Sequence, residues 1–168
     1  MKLVNDIGIF ENALPDYYVK TLLDLAETCD FRVGFGERYE YEMDGNSALI
    51  MPFINQYYDT YHMGGVENVK QDLCLLGSTL AKYNNGVTLG LHYDGPLTMP
   101  GTVRLATCMV YLNRCQGGET LFPNQEIRIK PMESKLIVFP ASYTHPHYTE
   151  PTDHKLVLVS SVGFKQEK

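Results

Sequence analysis

Apolar residues along this chain follow two different periods, and the change falls near residue 66. From Asp16, the segment DYYVKTLLDLAETCD places Val19, Leu22, Leu23 and Leu25 on one side and acidic residues on the other. That spacing predicts an amphipathic helix. Leu14-Pro15 gives it an entry, with proline in the first turn. A second helix is predicted from about Ser47 to His62, through Leu49, Ile50, Phe53, Ile54, Tyr57, Tyr58 and Tyr61, with Pro52 in its first turn. Past Val66, short apolar runs alternate with Gly, Asn and Pro turns: CLLGSTLAKY, TLGLHYD, VRLATCMVYLN, GETLFPN, EIRIKP, SKLIVFPASYTHPHY and HKLVLVSSVGF. These read as strands. Strict alternation is clear only in Ile127-Arg128-Ile129-Lys130. Many short strands suggest a sandwich or barrel. Helices followed by strands suggest a mainly β, α+β domain whose helices pack on one sheet.

Length and composition narrow the class. At 168 residues the chain is one domain's worth, with a helical flank expected over 1–65 and a strand-built core over 66–168. Hydrophobic residues make up 44% and charged residues 20%, which excludes a disordered tail or a coiled coil. Against 14 Lys and Arg stand 20 Asp and Glu, a net charge of −6. That balance offers no general attraction to phosphate backbones, so no nucleic-acid partner is expected. Cys29, Cys74, Cys108 and Cys115 form no CxxC pair, so neither a zinc finger nor a redox motif is predicted. The N-terminus lacks the apolar run of a signal peptide, and no run of about 18 apolar residues exists. A soluble cytoplasmic protein without a membrane partner is expected.

The chain has five histidines, His62, His92, His145, His147 and His154. His92 and Asp94 form an H-x-D pair, and residues two apart on a strand share a face. By itself such a pair suits a solvated strand edge. A later segment, Thr144-His145-Pro146-His147, offers a third ligand. Two histidines and a carboxylate leave coordination positions open and suit non-haem Fe(II). The same three with a water suit catalytic zinc. Gly117-Gly118 makes a turn with little steric cost for positive φ. Lys155 opens the apolar strand Leu156–Val159. At a strand start a lysine is usually solvated. If its head turns inward, the ammonium must meet an anion, such as a substrate or cosubstrate carboxylate.

The ordered set of Tyr83, His92/Asp94, YLN-x3-GGETLF, FPASYTHPH and a basic residue before a strand resembles the iron(II)/2-oxoglutarate-dependent dioxygenases. Within them it is most similar to the prolyl 4-hydroxylase-like group with its short phage and bacterial members. The resemblance spans about residues 70–164. It implies a distorted double-stranded β-helix, or jelly roll, with N-terminal flanking helices. It implies Fe(II), 2-oxoglutarate and O2 as cofactors, with ascorbate as reductant. His92, Asp94 and His147 are the implied iron ligands, with His145 as the alternative third ligand. Lys155 is the implied partner of the far carboxylate of 2-oxoglutarate, and Tyr83, Tyr111 and Thr120 are implied around that cosubstrate.

Two spacings compete for the third ligand. Six residues after Phe139 lies His145, whose gap of ten to Lys155 is the usual one. Eight residues after Phe139 lies His147, in a T-x-x-H setting with Pro151 four residues on, as in the phage-like branch. His147 is favoured. Read as one strand, the segment aims both histidines to the same side, roughly 6.6 Å apart, so only one can ligate. Lysine stands where the family more often has arginine, giving a point charge in place of a fork. The late strand, LVLVSSVGF, lacks the tryptophan that often ends it in the family.

The implied reaction hydroxylates a peptidyl residue, proline among them. A small molecule or free amino acid is the alternative substrate. The rivals from other classes are a zinc hydrolase, for which Glu119 is the only evident base, and a non-catalytic metal-binding jelly-roll interaction protein. Residues 95–102, straight after the H-x-D pair, read as a lid or a passive connection. Residues 32–39, with their Arg and Tyr side chains, read as a surface loop or a peptide-gripping wall.

Overall fold

A computed structural model describes residues 1–34, 36, 38–43, 49–60, 73–84, 86–96 and 101–165. Helix α1 covers Asp16–Thr28 and helix α2 Met51–Thr60. Pro15 stands at the N-cap of α1, one residue before the expected first turn, and its carbonyl accepts from the backbone N–H groups of Tyr18 and Val19. Pro52 lies in the first turn of α2, while Ser47 and His62, the outer limits expected for that helix, fall outside the described residues. No described helix is long and apolar enough to cross a membrane.

Among the described residues, twelve strands build two sheets. They are β1 (Lys2–Val4), β2 (Ile7–Phe10), β3 (Arg32–Val33), β4 (Tyr39–Met43), β5 (Cys74–Tyr83), β6 (Leu89–His92), β7 (Thr102–Tyr111), β8 (Thr120–Phe122), β9 (Ile127–Ile129), β10 (Lys135–Pro140), β11 (His147–Thr149) and β12 (Lys155–Lys165). The large sheet runs β1-β2-β10-β7-β12-β5-β4-β3 and the small one β6-β11-β8-β9. The described pairings are antiparallel, as a jelly roll requires.

The centre of the large sheet is buried on both faces. Leu80, Val110, Leu136, Val138 and Leu158 pack with Tyr18, Val19, Leu22, Ile54 and Tyr57 of the helices. Their sequence neighbours Ala81, Tyr111, Ile137, Phe139 and Val157 point the other way, to Leu89, Phe122 and Ile129 of the small sheet. A strand covered on both sides has no polar face to show, so its sequence reads as a continuous apolar run. This explains why alternation is weak in β5, β7, β10 and β12 and clear in β9, whose Arg128 faces solvent.

The first third holds four strands besides the two expected helices. Asn5 and Asp6, both at positive φ (46° and 64°), form the two-residue turn of the β1–β2 hairpin. Such turns need left-handed conformations that Asn and Asp tolerate. The YEYEM run of β4 alternates and pairs with β5.

Candidate metal centre and anion pocket

Strand pairing assembles the first cluster. His92 ends β6, His147 opens β11, and the two are cross-strand partners with ring centroids 4.3 Å apart. Asp94 follows two residues after His92. Ligand atoms of His92, Asp94 and His147 all lie within 4.8 Å of one another. Both rings are oriented by carbonyls two residues upstream: Nδ1 of His92 lies 2.7 Å from Gly90 O, and Nδ1 of His147 lies 3.1 Å from His145 O. A carbonyl only accepts, so each Nδ1 carries the proton and each Nε2 keeps its lone pair for a metal. His147 is 5% exposed and wedged against Phe122 and Phe139. Burial pushes its pKa down to about 4, despite the opposing pull of Asp94. Its imidazole is therefore neutral, the ligating form, at ordinary pH. Asp94 accepts a hydrogen bond from the Thr107 hydroxyl and pairs with Arg104, Nη1 to Oδ1 3.3 Å.

His145 sits outside this cluster. The expectation that one strand aims His145 and His147 to a common face is not met. β11 begins at His147, and the preceding residues form a turn closed by His145 N–H donating to Ser142 O. The buried His145 ring reaches the Thr144 hydroxyl (Nδ1, 2.8 Å) and the Asn5 carbonyl (Nε2, 3.3 Å). It ties the turn to the β1–β2 hairpin. His154 is exposed and lies beside Asp153.

The second cluster lies deeper between the sheets. Register places Lys155, at the start of β12, directly opposite Tyr83 at the end of β5. Lys155 is 0% exposed. Its ammonium donates to Gly118 O at 2.9 Å and approaches the Thr149 hydroxyl at 3.4 Å. It stands 4.4 Å from the centre of the Tyr83 ring and 6.0 Å from that of Tyr111. No described carboxylate forms a salt bridge with it. Burial therefore lowers its pKa to about 7. Tyr111 donates its hydroxyl to Thr120 Oγ1 at 2.8 Å, both side chains being fully buried, and burial raises the phenol's pKa. Gly117 and Gly118 adopt φ of +70° and +69°. A Cβ at Gly117 would lie 2.1 Å from Pro151 O, so only glycine permits the turn that delivers the Gly118 carbonyl to Lys155.

A cavity of about 830 Å3 opens on the first cluster, lined by His92, Asp94 and His147 together with Tyr83, Thr149 and Arg38. Tyr83 and Thr149 belong to this wall and also touch Lys155, so the ammonium lies behind the wall that they form. Of the 32–39 segment, Arg38 enters the wall: it pairs with Glu40 (2.6 Å) and donates to the Tyr83 hydroxyl (2.9 Å). Phe35 and Glu37 of that segment, and residues 97–100 of the expected 95–102 lid, lie outside the described residues. Sequence reading missed Arg104 and Thr107 as site residues. The signal was available for Thr107, which shares strand parity with Tyr111 on β7.

The residues fit an iron ion and a dicarboxylate. Two imidazoles and one carboxylate form a donor set with positions left open for a non-haem iron. A buried ammonium without a carboxylate partner fits an incoming anion.

Residues 78–162 match the family model of the 2OG-Fe(II) oxygenase superfamily. No curated protein matches the sequence. Among solved structures, the fold is similar to the viral collagen prolyl hydroxylase of Paramecium bursaria Chlorella virus-1 in its 2OG complex. There the TM-score is 0.73 at 20% identity, over 94% of this chain and 96% of that one. It is similar to a Trichoplax adhaerens prolyl hydroxylase in complex with a hypoxia inducible factor peptide fragment, with TM-score 0.68 and 19% identity over 95% and 84%. It is also similar to a Pseudomonas putida prolyl-4-hydroxylase, with TM-score 0.66 and 19% identity over 97% and 94%.

Proposed function

The chain belongs to the 2OG-Fe(II) oxygenase superfamily, and from that premise we propose that it hydroxylates a peptidyl residue, proline foremost, at an iron held by His92, Asp94 and His147. The observation that carries this reading is the convergence of those three side chains within 4.8 Å at the wall of one cavity. When bound, iron and 2-oxoglutarate supply the oxidation. That chemistry would consume oxygen, convert the keto acid to succinate and carbon dioxide, and place one oxygen atom in a substrate C–H bond.

The chain's own residues hold and orient. The Gly90 and His145 carbonyls fix the imidazole tautomers, and Phe122 and Phe139 pack His147 into one rotamer. Lys155, which donates to the Gly118 carbonyl, would hold the far carboxylate of 2-oxoglutarate as a charged partner. Tyr83, Tyr111 and Thr120 wall that end, and their burial keeps water from the anion. Ascorbate serves as the external reductant that keeps the iron ferrous. A peptide substrate is supported by a cavity far larger than a five-carbon diacid needs. It is supported also by neighbours whose own names concern collagen and a hypoxia inducible factor peptide.

Supplying Fe(II), ascorbate, 2-oxoglutarate and oxygen to the purified protein tests the reading. Succinate is expected to form slowly alone and faster with proline-containing peptides, one of which gains a single oxygen by mass. Stimulation by free amino acids and by no peptide would move the substrate to the small-molecule class. No succinate from iron-loaded protein would contradict the oxygenase assignment of this site.

A further inference from the structure

The three candidate ligands are oriented in two ways. His92 and His147 are set by backbone carbonyls of their own segments. Asp94 lies beyond the end of β6, outside any strand, and is held from β7. Thr107, 1% exposed, donates its hydroxyl to Oδ2. Arg104 brings Nη1 to 3.3 Å from Oδ1. The guanidinium is mostly buried, and its Nε is buried with no hydrogen-bond partner. An orphaned buried donor costs about 1–3 kcal/mol. Among the described residues, the pairing with Asp94 is the salt bridge that Arg104 makes in return.

We propose that Thr107 and Arg104 act on Asp94 in opposite senses: Thr107 turns the carboxylate toward the metal, and Arg104 weakens it as a donor. The inference rests on the metal-centre reading above. A hydroxyl is neutral, so its bond fixes the carboxylate plane without removing charge. It also occupies one oxygen, which favours attachment of the metal through a single oxygen and leaves a coordination position for cosubstrate. A guanidinium carries a full positive charge. At 3.3 Å it draws electron density from Oδ1 and repels a divalent cation on the other side. Arg104 thus lowers metal affinity and the electron density at a bound metal. Both are positioning residues, since they act through Asp94.

The test uses Mn(II) binding followed by electron paramagnetic resonance, and the visible charge-transfer band of the anaerobic Fe(II)–2-oxoglutarate protein. Thr107→Val is expected to weaken Mn(II) binding by about 10-fold or more, and Thr107→Ser to restore it. Arg104→Gln is expected to tighten Mn(II) binding several-fold and to move the band to lower energy, while Arg104→Lys stays near the parent. Arg104→Met is the second neutral variant should the glutamine variant fail to fold by circular dichroism. A merely bracing arginine predicts that its neutral variants weaken binding as Thr107→Val does. That outcome, or no change, would overturn the proposal while leaving the metal centre intact. Failure of the parent protein to bind Mn(II) would overturn the metal-centre reading and this inference together.

Discussion

The two clusters, at the wall of the cavity and behind it, are built on opposite plans. At the ligand cluster, each polar group is met before anything binds: Asp94 has Arg104 and Thr107, and each histidine proton has a carbonyl. Behind the wall Lys155 is sealed in, with one carbonyl, one hydroxyl and two aromatic rings for company and no described carboxylate. The first cluster is preorganised and half-open. The second is a desolvated cation whose cost falls when an anion arrives. Metal binding should therefore depend on geometry at one cluster, and cosubstrate binding on charge at the other.

The largest break in that contrast comes at Asp94. Asp94→Ala is expected to abolish metal binding and turnover, because two neutral imidazoles from the remaining pair cannot replace the carboxylate. Atomic absorption after reconstitution reads the loss, and retained stoichiometric iron would remove Asp94 from the ligand set. Next is Lys155. Lys155→Met is expected to raise the 2-oxoglutarate requirement by about 10- to 100-fold, the worth of a charged hydrogen bond, with metal affinity unchanged. The same variant should melt no lower than the parent without ligand, since it replaces an unpaired buried charge by an apolar chain. Equal loss of metal and cosubstrate binding would dissolve the distinction between the two clusters.

A pH effect sharpens it. Lys155 has its pKa lowered to about 7 from an ordinary 10.5. Between those values the unfolded chain binds more protons, so this residue makes the empty protein more stable as pH rises from about 7 toward 10.5. If Lys155 holds the cosubstrate carboxylate as proposed, cosubstrate binding has the opposite sign, because the anion needs the ammonium. It should weaken as pH rises above about 7 in the parent and lose that trend in Lys155→Met. Denaturant melts of the ligand-free protein and calorimetric titration with 2-oxoglutarate, each at several pH values, read the two trends.

Smaller effects are expected from the supports. His145→Ala removes the ring contacts to Asn5 and Thr144 and leaves the carbonyl that orients His147. It should keep stoichiometric metal with turnover lowered several-fold, and complete metal loss would make His145 a ligand. Tyr111→Phe deletes one buried hydrogen bond to Thr120 and should cost about 1–2 kcal/mol in a denaturant melt. An unchanged melt would mean that Thr120 finds another partner.

Much of this was legible in the sequence. The strand runs of the core appear nearly as read, β5 at Cys74–Tyr83 among them. Lys155 packs beside the rings of Tyr83 and Tyr111, and Tyr111 bonds Thr120, so the four residues grouped by the resemblance lie together in the fold. What escaped is of two kinds. The β1–β4 strands are short, and the apolar helical patterns around them dominate the first third. Yet Asn5-Asp6 is a turn signal and YEYEM alternates. Arg104 and Thr107 escaped because their importance comes from Asp94, which lies on another segment and which only the fold brings against β7. His145 was misread in direction for a local reason. Pro146 ends a turn, not a strand interior, so parity counted across it has no meaning.

The most direct test of the central claim is anaerobic addition of Fe(II) and 2-oxoglutarate to the parent protein, His147→Ala and His145→Ala, watching the visible charge-transfer band. The account predicts a band in the parent and in His145→Ala, and none in His147→Ala. A band that survives in His147→Ala and disappears in His145→Ala would contradict it.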